Sequence, residues 1–121
     1  LIERIMSLEA QGQSYGAEAL DRAFALAKEH FIQEGNNEII LASDGVFNSP
    51  GLSKRSLYRK AWWKQRFNKI RLSTIGFGKS PYALNFMQRL ASNGAGNYLR
   101  IPDERTAEEI LVINLMEHSR K

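Results

Sequence analysis

With 121 residues, three prolines and no cysteine, the chain is long enough for one modest core and too short for two ordinary domains. The lack of cysteine excludes a disulfide scaffold, a thiol nucleophile and any thiolate-ligated zinc or iron–sulfur centre, while 43% hydrophobic and 25% charged residues exclude a disordered or fibrous chain. The formal charge of +4 is local: Lys54, Arg55, Arg59, Lys60, Lys64, Arg66, Lys69 and Arg71 are eight cations with no acid among them, and the nine basic residues elsewhere are outnumbered by 13 acids.

The chain is therefore mildly acidic with one basic segment, unlike a globally basic nucleic-acid binder. No apolar run approaches the ~20 residues of a membrane helix. The opening at Leu1, without Met and inside a segment that reads as a helix, predicts that the chain continues a longer protein.

Leu1, Ile2, Ile5, Met6 and Leu8 form a helical stripe, so residues 1–10 read as a helix. Gln11-Gly12-Gln13-Ser14-Tyr15-Gly16 breaks it as a loop. Leu20, Ala23, Phe24, Ala27 and Phe31 then share one face of a second helix, which is expected to run to about Glu34 and stop at Gly35. Ile39-Ile40-Leu41-Ala42, between turn signals, predicts a strand over 38–43 buried on both faces, as in a parallel sheet. It runs into Asp44-Gly45 and a loop holding Asn48, Pro50 and Gly51.

Residues 56–67 mix cations with Leu57, Ala61 and Trp62 or Trp63 and read as a helix. Ile70 to Ile75 predicts a strand closed by Gly76-Phe77-Gly78. Ser80-Pro81 supplies an N-cap and a first-turn proline, Asn93-Gly94 a stop, and Ala83, Leu84, Met87, Leu90 and Ala91 an inner face. Asn97 to Ile101 reads as a third strand. Thr106-Ala107-Glu108-Glu109 matches a capping box ahead of a last helix through Ile110, Leu111, Ile113 and Leu115. Strands alternating with helices imply right-handed crossovers and a parallel α/β sheet. In such sheets ligands bind beyond the carboxyl ends of the strands, here at Asp44, at Gly76–Gly78 and after Ile101.

Several signals carry little chemistry. Gly-Lys-Ser at 78–80 imitates the end of a phosphate loop, but the position that needs the first glycine is Ser73 and Pro81 follows. His30 and His118 sit at expected helix ends, where the dipole favours a cation. Paired Glu108 and Glu109 fit a helix first turn. No Ser, His and Asp set has the placement of a hydrolase, so the chain is expected not to be an enzyme. The basic segment with Tyr58, Trp62, Trp63 and Phe67 has the make-up of a surface for nucleic acid or an anionic partner. The competing reading, a solvated helix face whose tryptophans anchor it to the sheet, is preferred, so nucleic acid is disfavoured.

One series of motifs points further: Gly12-Gln13-Ser14-Tyr15-Gly16, an Ala-rich helix, Ile40-Leu41-Ala42-Ser43-Asp44-Gly45-Val46-Phe47-Asn48, Leu72-Ser73-Thr74-Ile75-Gly76-Phe77-Gly78, and Leu90-Ala91 with Gly96-Asn97-Tyr98. In this order and spacing, over nearly the whole chain, it resembles a von Willebrand factor A domain. It is most similar to a bacterial subgroup with a DG-x-FN sequence after a strand. The resemblance implies a three-layer αβα, Rossmann-like sheet with a metal-ion-dependent adhesion site on top. Ser14 matches the family's Thr ligand and Asp44 its later Asp. The family's Asp-x-Ser-x-Ser loop occurs nowhere in this chain. Residues 1–121 thus resemble the C-terminal portion of the domain, truncated at the N-terminus.

The resemblance implies a non-enzymatic protein–protein interaction or adhesion module. In the complete domain Mg²⁺ or Mn²⁺ would bridge Ser14, Asp44 and the missing loop to an acidic residue of a protein ligand. In this chain the ion is expected to bind weakly or not at all, because Mg²⁺ demands six ligands in near-ideal geometry. Asn48, Lys54, Arg55, Arg59 and Lys60 are candidates for partner contact. Loss of the neighbouring first strand would leave Ile39, Ile40 and Leu41 on a sheet edge, so self-association through 38–43 is expected.

Overall fold

Two seven-residue segments near the ends of the chain are strands, and this decides the architecture. The computed structural model describes residues 3–9, 16–43, 53–77, 80–101 and 110–116. In chain order these are β1 (Glu3–Glu9), α1 (Gly16–Glu29), β2 (Asn36–Ser43), α2 (Lys54–Phe67), β3 (Arg71–Phe77), α3 (Pro81–Asn93), β4 (Ala95–Ile101) and β5 (Ile110–Met116). The five strands form one sheet in the order β1-β5-β2-β3-β4.

The expected helices over 1–10 and 110–115 are thereby corrected. β1 pairs antiparallel with β5, from Glu3 opposite Met116 to Glu9 opposite Ile110. β5 pairs antiparallel with β2, from Asn36 opposite Met116 to Ala42 opposite Ile110. Only β2–β3 and β3–β4 are parallel, so the sheet is mixed and not the parallel sheet expected. A short apolar run has no period that separates strand from helix, and the pairing partner settles the choice.

The same pairing overturns the expected edge. Ile39, Ile40 and Leu41 lie on a strand bonded on both sides, to β5 and to β3. Strand β2 therefore has no free row of amides to offer a second copy. The edges of the described sheet are β1 and β4.

The helices gather on one face. Asp21 of α1 pairs with the Lys60 ammonium of α2, and the Lys64 ammonium lies 5.8 Å from the Phe24 ring centre. Tyr58 of α2 meets Phe86 of α3 with ring centres 5.7 Å apart. Beneath them runs one core: Leu20, Phe24 and Ala27 of α1, Leu57 and Ala61 of α2, Phe86, Met87 and Leu90 of α3, with Ile39, Leu41, Leu72 and Ile113 of the sheet. Each large aliphatic or aromatic side chain buried there contributes about 1.5–3 kcal/mol. Among the described residues no helix covers the other face, so the second helical layer of the expected αβα arrangement has no representative there.

Burial in β2 alternates, with Asn37, Ile39, Leu41 and Ser43 buried toward the helices and Glu38, Ile40 and Ala42 half-buried. The expectation of full burial on both faces is corrected accordingly. The outer face joins Ile40 and Ala42 to Ile75, Phe77, Ile101 and Val112, all half-buried, and to exposed Leu99. At its other end Glu38 accepts from the Ser73 hydroxyl at 2.5 Å and lies 3.6 Å from Arg71, and the Asn97 N–H donates to Ser73 Oγ at 2.9 Å.

Helix ends follow local chemistry where caps exist. Ser53 Oγ accepts from the Ser56 N–H and Ser80 Oγ from the Ala83 N–H, with Pro81 opening α3 and Gly94 closing it. Helix α1, however, stops at Glu29 and not at Glu34. Buried Asn37 takes both polar groups of Ile32, accepting from its N–H at 3.0 Å and donating to its carbonyl at 2.9 Å. That replaces the helical bonds, Glu34 turns left-handed at φ 61°, and Phe31, expected inside, is 36% exposed.

Candidate functional site

Strands β1 and β2 are both antiparallel to β5, so they run in the same direction, as do β3 and β4. All four end on one side of the sheet. Glu9 and Ala42 both lie opposite Ile110. The carboxyl ends of β1 and β2 are therefore level, with one strand between them, which is about 9–10 Å at the usual strand spacing. The segments carrying Ser14 and Asp44 leave the sheet from these two ends. Ser14, Asp44 and Asn48 themselves lie outside the described residues. In the chain, Asp44 directly follows Ser43, the last residue of β2, and Ser14 comes two residues before Gly16, the first of α1.

Both groups would offer hard oxygen ligands, suited to Mg²⁺ or Mn²⁺ rather than to a soft ion. Among the described residues no group of three or more His, Asp or Glu side chains converges as a cation cage would require. His30 follows the last residue of α1, at its dipole-negative end. His118 lies outside the described residues.

The remaining predicted site residues sit on α2, away from those strand ends in sequence. Arg55 and Arg59 are exposed. The Lys54 ammonium lies 5.4 Å from the Phe86 ring centre, and Lys60 is held by Asp21. Thus, of the four cations expected to meet a partner, two already have a partner within the fold. Ser56, Arg59, Lys60, Trp63 and Lys64 line an open groove of about 310 Å³ on this helix.

The tryptophans do not anchor α2 to the sheet. Leu57 and Ala61 do that, buried to 5% and 0% exposure, while Trp62, Trp63 and Phe67 are 42%, 52% and 55% exposed. The three rings pack on one another: Trp63 and Phe67 lie 4.6 Å apart at 37°, and Trp62 stands edge-on to both, at 6.2 and 5.9 Å. Spacing could have shown part of this, because Leu57 and Ala61 share one side of a helical wheel and Trp62 and Trp63 each fall about 100° or more from both.

A protein of Escherichia coli (strain K12) described as uncharacterized, YfbK, is 38% identical to the chain over 107 residues. The match covers 88% of this chain and 18% of that protein, so the chain corresponds to a small part of its relative. No family model matches the chain, and no solved structure does.

Proposed function

We propose that this chain is part of a protein–protein interaction module of von Willebrand factor A type, non-enzymatic, with an incomplete metal-ion-dependent adhesion site. The observation that carries the reading is the level ending of β1 and β2 on one side of the sheet, one strand apart, directly before the segments that hold Ser14 and Asp44. The parallel β2-α2-β3-α3-β4 unit and the ordered motif series support it.

In this reading Ser14 supplies a hydroxyl oxygen and Asp44 a carboxylate. A bound Mg²⁺ or Mn²⁺ would present an open position to an acidic side chain of the partner. Two protein oxygens leave most of the six positions to water, so affinity in this chain is low. No bond is made or broken by the protein.

Mn²⁺ titration followed by NMR line broadening tests the assignment, because the paramagnetic ion reveals sites too weak for calorimetry. Broadening should centre on residues near 14 and 44 and vanish in Asp44→Ala. Broadening that survives Asp44→Ala, or that centres elsewhere, removes Asp44 from any cation site.

A further inference from the structure

We infer that the outer face of α2 is a docking surface for an anionic lipid membrane. The surface comprises Arg55, Arg59, Trp62, Trp63, Arg66 and Phe67, all exposed. The inference rests on α2 alone and not on the cation site, so either reading can fail without the other.

Three observations converge on it. First, the charge is not compensated within the fold. No acid occurs from 54 to 71, and among the described residues carboxylates pair only with Lys60 and Arg71 of this segment. Second, the charge opposes helix stability at one end. Lys64 and Arg66 in the last turn complement the helix dipole, but Lys54 and Arg55 occupy a first turn that contains no acid, where a cation is unfavourable. Lys54 has the Phe86 ring within the fold, but no such contact calls for Arg55 among the described residues. Third, three large rings stand out of the protein although Leu57 and Ala61 already fix the helix to the core.

The arrangement of the rings selects the partner. A single-stranded nucleic acid stacks its bases on free aromatic faces. Here Trp63 and Phe67 turn toward each other and Trp62 stands edge-on against both, which makes a compact apolar knob. An acidic peptide would seat in the groove beside Trp63, but that groove is open and its Lys60 is already engaged by Asp21. A membrane interface needs neither free ring faces nor a pocket. It needs amphipathic rings at headgroup depth and cations around them to meet anionic lipid. No described helix is long and apolar enough to cross a membrane, and the attachment inferred here is through the surface of α2.

The chain reports on this surface by itself, because Trp62 and Trp63 are its only tryptophans. The probe is a set of vesicles of 70% phosphatidylcholine and 30% phosphatidylserine, with pure phosphatidylcholine alongside. Tryptophan emission should shift to the blue and resist aqueous quenchers on the anionic vesicles, less so in high salt, and stay unchanged on the neutral ones. Arg55→Gln and Arg59→Gln should each lower partitioning about fivefold, and Phe67→Ser should reduce it further. All three positions are exposed, so the far-UV circular dichroism should keep its folded form, and Arg55→Gln and Arg59→Gln should not lower the urea midpoint. Arg100→Gln, an exposed cation on β4, should leave partitioning unchanged. An absent shift, an equal shift on neutral vesicles, or loss of binding in Arg100→Gln equal to that in Arg59→Gln overturns the proposal. So does a response to oligo-dT with none to phosphatidylserine, which would assign the face to nucleic acid instead.

Discussion

Gly96 of β4 lies against the Leu72 backbone of β3. A Cβ added there would fall 2.6 Å from the Leu72 carbonyl carbon and nearer still to its oxygen, backbone atoms that cannot swing aside. At Gly76 an added Cβ would instead meet Leu84 Cδ2 at 3.0 Å and the Tyr98 ring at 3.2 Å, side-chain atoms able to yield. Gly96→Ala should therefore cost about 3 kcal/mol and Gly76→Ala about 1 kcal/mol. Urea denaturation measures both, and a reversed order would contradict the packing described. Both glycines stand in the motifs that carry the family resemblance, yet only the contact distances separate their roles. Asn37 is a parallel case. As a letter beside Asn36 and Gly35 it reads as a turn residue, whereas in the fold it is buried and ends α1 by binding both polar groups of Ile32. Its effect depends on a hydrogen bond that no local spacing rule anticipates.

Helices and strands were not equally legible. Helix α3 follows its sequence closely: Ser80, Pro81 and Gly94 mark its ends, and the inner face of Ala83, Leu84, Met87, Leu90 and Ala91 is buried as the spacing predicts. Capping is a bond between atoms a few residues apart, so it can be read in one dimension. Ser80→Ala and Ser53→Ala should each cost about 1 kcal/mol, seen as an earlier urea midpoint; an unchanged midpoint in both would deny the caps a role. The first apolar segment had no such mark, and the capping-box pattern of Thr106 to Glu109 ahead of the last one precedes a strand, not the expected helix. Ile110 to Met116 satisfies a helical stripe and a buried strand alike. The register of seven paired positions with β1 and seven with β2 makes it a strand. Long-range pairing decided those two elements, and the capping box at 106–109 lies outside the described residues.

For the molecule as a whole, the placement of β5 has the largest consequence. It fills the gap between β1 and β2 and converts an expected edge into the middle of the sheet. Truncation after Ile101 would remove a central strand, separate β1 from the rest and expose Ile39 and Leu41. Such a protein should lose its cooperative urea transition. A transition retained at the original midpoint would mean that 110–116 is peripheral. The candidate site divides along the same line. Asp44 at a strand end and the basic run from 54 to 71 are visible as letters. That β1 and β2 end level, and that Trp62, Trp63 and Phe67 pack on one another, is a property of the assembled sheet and helix. Composition, caps and short-range spacing depend on neighbours along the chain, and they sufficed for the α/β class, the three helices and the three strands β2, β3 and β4. Strand order, the direction of β5 and the packing of the three rings on α2 depend on which surfaces meet after collapse, so folding in three dimensions had to supply them.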